Sequence, residues 1–183
     1  LMIMGVLART ITVRQMLRNW LVVYLGNFAG ALLVAALCVS GHVFSAFGGK
    51  LAASVVAIAQ TKAGLSFGDA FVRGILCNFL VCIAVWMANA ARTVGGKIAA
   101  VFFPIMAFVV AGFEHSIANM YYLAAGLFTA EQTGAAAEGL TWGRALAGNL
   151  LPVTLGNLGG GGLLVGVSAW YLYLKQERNS VNS

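Results

Sequence analysis

The chain alternates long apolar stretches with short polar ones, at lengths suited to helices rather than strands. Residues 19–39, 68–90 and 144–174 each approach or exceed the ~20 apolar residues that carry a helix across a bilayer. A fourth stretch, 98–128, is longer and is interrupted near 112–119, where Gly112, Glu114, His115, Ser116 and Asn119 fall at its centre. Ionisable groups at that depth are rare and face the protein interior or a water-filled path. The pattern therefore predicts a helix broken at its midpoint.

The intervening segments are short. Residues 9–18 form a basic connection, 91–97 a tight one, 129–143 an acidic Ala/Gly-rich loop and 175–183 a polar tail. Residues 40–66 form a longer loop. Within it, 51–59 is apolar but too short to cross, and is expected at the interface or packed on the bundle. Residues 1–8 are apolar but end at Arg9. Eight helical residues rise only about 12 Å, so this run is expected to be the tail of a helix that starts upstream, in a protein whose N-terminal part is missing here.

Composition fixes the class. With 61% hydrophobic residues, 9% charged and a mean hydropathy of +0.90, the chain is far from the roughly 25% charged content of soluble domains. It reads as an all-α integral membrane protein, with one membrane domain over residues 1–183. The net charge of +6 comes from basic residues scattered beside apolar spans, which makes them topology signals rather than a nucleic-acid surface. Arg9, Arg14, Arg18, Arg92, Lys97, Lys175 and Arg178 fall on one side of the membrane. Lys50, Lys62, Arg73 and Arg144, offset by Asp69, Glu131 and Glu138, fall on the other. The first side is expected to be cytoplasmic, giving a multi-pass protein of the inner (plasma) membrane with its C-terminal tail inside. Cys38, Cys77 and Cys82 lie in apolar stretches without metal or redox spacing and read as small buried residues. Paired catalytic carboxylates and phosphate loops are absent from the sequence, so enzyme chemistry has no support and no cofactor is expected.

An internal echo points to transport. Leu25-Gly26-Asn27-Phe28-Ala29-Gly30 and Leu155-Gly156-Asn157-Leu158-Gly159-Gly160 both read L-G-N-x-x-G, in spans that run oppositely in this topology. Weak similarity between oppositely directed spans marks an inverted repeat. The glycines alone also suit close helix packing.

His115 is the first candidate for chemistry. A backbone that unwinds near 112–116 starts a second half-helix there, whose unpaired N–H groups and positive dipole end suit an anion. Glu114 reads as support for the broken backbone, because a bare carboxylate would repel an anion. An imidazole with an ordinary pKa near 6.5 can protonate a bound weak-acid anion, and the neutral acid then crosses an apolar constriction more cheaply than the anion. Phe108, about two turns before His115, and Val81 are candidates for that constriction, although core packing explains either alone. Asn78, one turn before Val81, is placed to bond a carboxylate or the histidine. Lys62, at the outer end of the conduit, either snorkels or draws anions toward the mouth.

Three strings carry a resemblance: Gly112-Phe-Glu-His-Ser-Ile-Ala-Asn119-Met120, Cys77-Asn78-Phe79-Leu80-Val81-Cys82 and Pro152-Val153-Thr154-Leu155-Gly156-Asn157. With them the chain, to about Leu174, resembles the bacterial formate/nitrite transporter family. The resemblance implies an aquaporin-like bundle of six helices with an inverted three-plus-three repeat, assembled as a homopentamer with one pore per protomer. It also implies passage of small monovalent anions (formate, nitrite or hydrosulfide), with formate the leading expectation. His115 then matches the central pore histidine, Asn78 its neighbouring asparagine, Lys62 the anion-attracting lysine, and Phe108 and Val81 the constriction. The family's first helix, half of its second and the gating loop between the halves would precede Leu1, so this stretch is not expected to form a complete pore by itself. An aquaporin would need an Asn-Pro-Ala pair, which is absent. A haem-carrying subunit of a respiratory enzyme is the alternative from another class, but it needs two deep histidines and His42 lies in a loop.

Overall fold

The computed structural model describes residues 2–174, so expectations for Leu1 and for the tail 175–183, including Lys175 and Arg178, lie outside the described residues. The described chain is all-α. Helix α1 spans Met2–Leu7, α2 Val13–Ser40, α3 Lys50–Ala63, α4 Phe67–Ala90, α5 Val94–Val110, α6 Ser116–Thr133 and α7 Arg144–Leu174.

The starts are set by capping side chains, which satisfy N–H groups that a helix cannot pair internally. Thr12 and Gln15 form a reciprocal capping box at α2. Ser66 accepts from the Asp69 N–H at α4, and Thr93 accepts from the Gly96 N–H at α5. Helix α2 thus begins six residues before the apolar core of its span, because Thr12 marks the start and the polar first turn tolerates Arg14 and Arg18.

The segment expected at 51–59 is a 14-residue helix, α3. It packs on α6, where Ala59 is fully buried and Gly126 lies so close that a Cβ there would overlap the Ala59 methyl. Residues Val43–Ala63 together are long and apolar enough to cross a membrane. The backbone breaks at Ala46, Phe47 and Gly48, however, the last two with left-handed φ of 58° and 64°, so only Lys50–Ala63 is a continuous helix.

Helices α4 and α7 run side by side in the same direction and form the tightest contact. A Cβ on Gly156 would overlap the Phe71 carbonyl oxygen, one on Gly160 the Ile75 carbonyl oxygen, and one on Gly74 would lie 2.8 Å from the Val153 carbonyl oxygen. Bare glycines allow this backbone approach. Helix α7 widens into i→i+5 turns at Arg144–Leu150, Gly159–Val167 and Trp170–Leu174, a form that recurs at functional sites. Gly156→Ala is therefore expected to lower stability by about 1–3 kcal/mol through overpacking, read as thermal unfolding of the detergent-solubilised protein. Gly95→Ala, at a position with no neighbour within 4 Å of the new methyl, should leave the transition unchanged.

Candidate functional site

The break predicted in the fourth stretch lies between α5 and α6. Helix α5 ends at Val110, the chain turns through Gly112 at φ 67°, and α6 begins at Ser116 with His115 as its N-cap. The left-handed φ at Gly112 is cheap only without a Cβ. Two backbone bonds fix the turn: Phe113 N–H donates to the Phe108 carbonyl at 3.0 Å, and Glu114 N–H to the Arg73 carbonyl of α4 at 3.3 Å.

The first turn of α6 differs from expectation. Two of its N–H groups are taken by side chains: Ser116 N–H donates to Asn157 Oδ1 at 2.9 Å, and Ala118 N–H donates to His115 Nδ1 at 3.2 Å. A buried N–H without a partner is costly, and the two side chains meet that demand here. Because Nδ1 accepts, the neutral ring carries its proton on Nε2. Phe108 is buried and stacked on this ring, with centroids 5.9 Å apart and planes 22° apart.

Beneath the break lies a buried polar network. Glu114 is only 3% exposed. Its Oε1 pairs with Lys62 Nζ at 2.9 Å, and its Oε2 accepts from Asn119 Nδ2 at 2.5 Å. Asn119 also donates to Asn149 Oδ1 at 2.8 Å, and Asn149 Nδ2 returns to the Lys62 carbonyl at 2.9 Å. The Lys62 ammonium further sits 5.4 Å from the centre of the Tyr122 ring. The Lys62 ammonium thus reaches inward to Glu114, a pairing the sequence did not suggest, because a carboxylate buried as deeply as Glu114 needs a partner.

Asn157 is the strut on the other side. Its Oδ1 holds Ser116 N–H, while its Nδ2 donates to the Gly74 carbonyl at 2.8 Å and to the Glu114 carbonyl at 2.9 Å. One side chain thereby ties α7, α4 and both sides of the break together. Asn78, expected to bond the histidine or an anion, instead donates to the Asn157 carbonyl at 2.6 Å. Asn149 was not singled out from the sequence, and Asn157 only as half of the L-G-N-x-x-G echo; a buried amide in an apolar span was the available signal.

A cavity of about 460 Å³ faces the break, and Trp20, Tyr24, Asn78, His115, Thr154 and Asn157 are among its walls. Phe108 and Val81 are outside its lining; Val81 is half-buried on α4. The cavity is mostly apolar, with hydroxyl, amide and imidazole groups converging at one end, which is the usual character of a site for a small polar solute. Among the described residues no group of three or more His, Cys, Asp or Glu is placed to hold a metal ion.

Comparison with known proteins identifies the architecture. A formate channel of Haemophilus influenzae, FocA, is 42% identical over 174 residues, covering 88% of this chain and 61% of its own length. A "Probable formate transporter" of Methanothermobacter thermautotrophicus is 37% identical over 186 residues, covering 94% of this chain and 65% of its own. The chain thus spans less than two thirds of these relatives. Among solved structures, a pentameric formate channel with formate bound superposes with a TM-score of 0.80 at 37% identity, covering 90% of this chain and 69% of that one. These neighbours are aquaporin-like helical bundles and channels rather than enzymes, which displaces the haem-subunit alternative. The sequence model of the formate/nitrite transporter family matches residues 1–171, and the chain belongs to that family.

Proposed function

We propose that the complete protein is a homopentameric channel of the inner membrane, with its C-terminus cytoplasmic, for small monovalent weak-acid anions. Formate is the preferred substrate, and nitrite and hydrosulfide are the alternatives within the family. The observation that carries this reading is the His115 ring, held by the Ala118 N–H so that Nε2–H is the donor left for a solute at the broken helix. Formate is favoured over the alternatives because the two relatives described above are named a formate channel and a probable formate transporter.

In this mechanism an anion enters the cavity lined by Thr154, Asn78 and Asn157 and meets His115. The positive end of α6 favours its charge there. Phe108 and Val81 form the apolar constriction through which it leaves, and Lys62 contributes positive charge that its pairing with Glu114 largely offsets. Proton coupling demands more of the ring. A histidine that protonates an anion must first carry two ring protons, and a proton on Nδ1 ends the cap to Ala118. Proton delivery and loosening of the first turn of α6 are therefore one event.

His115→Ala removes a hydrogen bond to an ion, worth about 1.5–3 kcal/mol, so formate uptake into liposomes should fall roughly 10- to 100-fold. His115→Asn, which can keep an N-cap oxygen, should retain more flux than alanine but lose its pH dependence. Unchanged flux and pH profile in both variants would remove His115 from the mechanism. Formate, nitrite and hydrosulfide offered in parallel to the wild type would decide the substrate.

A further inference from the structure

Several polar groups in the wall of the His115 cavity are already bonded. Asn157 commits its oxygen and both its N–H groups to Ser116, Gly74 and Glu114. Asn78 gives an amide proton to the Asn157 carbonyl, and His115 Nδ1 is held by the Ala118 N–H. Tyr24 of α2 and Thr154 of α7 differ from these. Their hydroxyl oxygens stand 3.0 Å apart, and either one can be the donor. Two hydroxyls carry two protons, and their mutual bond uses one. Whichever way the bond runs, the pair keeps one free O–H.

Two further observations set where that proton goes. Serine and threonine hydroxyls in helices often bond the carbonyl one turn back, as Ser54, Thr61 and Thr133 do on Lys50, Ala57 and Thr129. Among the described residues Thr154 makes no such bond, and its hydroxyl crosses to Tyr24 instead. The pair also stands where two cavities meet. The cavity of about 460 Å³ that contains His115 and a second of about 420 Å³ have Tyr24 and Thr154 as their only common walls. Leu25, Phe28, Leu146, Leu150 and Leu151 complete the lining of the second. A free O–H turned toward those side chains meets no side-chain acceptor, which is costly in an apolar space. Turned the other way, it enters the cavity that His115, Asn78 and Asn157 line.

On the reading of this cavity as the conduit, we propose that the Tyr24–Thr154 pair is a second binding position for the solute and selects small oxyanions. A formate or nitrite oxygen takes the free O–H in a charge-assisted bond. The sulfur of hydrosulfide is a weak acceptor and gains little there. Because hydroxyl hydrogens rotate freely, the Tyr24–Thr154 bond reverses without movement of either helix. The donor then comes from α2 or from α7, according to where the anion lies.

Removing the hydroxyls singly and together separates this role from a structural one. A bridge between α2 and α7 is lost equally in Tyr24→Phe, in Thr154→Val and in the double variant, whereas each single variant still has one O–H. For the complete protein in liposomes, the formate concentration giving half-maximal uptake should rise about tenfold or more in the double variant and less than about threefold in either single one. Hydrosulfide uptake in the same vesicles should keep its wild-type value in the double variant. A common value in all three variants, a wild-type value in the double variant, or equal losses for formate and hydrosulfide would overturn the proposal. Crystals of the unmodified protein soaked in formate or nitrite read the contact without substitution. Density for the anion within about 3 Å of Tyr24 Oη or Thr154 Oγ1 is expected, and density at His115 alone would count against the pair. Failure of the conduit reading would show separately, as wild-type protein that carries none of the three anions.

Discussion

Replacing Glu114 by alanine in the complete protein is expected to lower its unfolding free energy by about 3–5 kcal/mol, the usual cost of removing one partner of a buried ion pair. The carboxylate is the common acceptor for the Lys62 ammonium of α3 and the Asn119 amide of α6. Without it, both donors are stranded in a region where Asn119 and Asn149 are at most 1% exposed. Lys62→Met should cost less, because Glu114 would retain Asn119 at 2.5 Å and Asn149 Nδ2 at 3.5 Å. The double variant Lys62→Met/Glu114→Leu should be more stable than Glu114→Ala, since no unpaired charge remains. Denaturant titration of the purified protein in detergent reads all three. A Glu114→Ala midpoint equal to the wild type would mean that the network does not hold the break.

The same residues explain what the sequence could and could not reveal. The break was legible because lipid makes polar residues conspicuous: Glu114, His115 and Asn119 stand out against apolar neighbours, and Gly112 supplies the only φ the turn accepts. The pairing of Lys62 with Glu114 was not legible. Fifty-two residues separate the two, and nothing local to Lys62 distinguishes an inward ammonium from one reaching the interface. Helix α3 was underestimated for a related reason. Gln60, Thr61 and Lys62 resemble a loop, yet they continue the helix, with Gln60 donating to the Glu138 carbonyl and Thr61 to its own Ala57 carbonyl. Asn157 was visible only as part of a packing motif. Its three bonds join backbone groups at positions 74, 114 and 116, which come together only once α4, the break and α7 are assembled.

Asn157→Leu is accordingly the second substitution with a large expected effect, and it separates the amide from the glycines beside it. Leucine fills a similar volume and is a better helix former, so the change removes polar contacts without opening a cavity. It leaves Ser116 N–H and the carbonyls of Gly74 and Glu114 without their side-chain partner. Unsatisfied buried groups cost about 1–3 kcal/mol each, so a loss of roughly 3–6 kcal/mol is expected, together with loss of formate flux in protein that still inserts and assembles. Asn157→Asp should fall between the two. It keeps the acceptor for Ser116 N–H but turns carboxylate oxygens toward the Gly74 and Glu114 carbonyls, replacing two attractions by repulsions. The ordering wild type, Asp, Leu in flux would show that Ser116 N–H is the bond that matters for the conduit. The reverse ordering of the two variants would place the weight on the carbonyls, and hence on the seam between α4 and α7. In either case Gly156→Ala should weaken the fold without copying the flux defect. It spreads the helices but leaves the amide in place, so a shared phenotype would mean that the break and the helix seam cannot be separated.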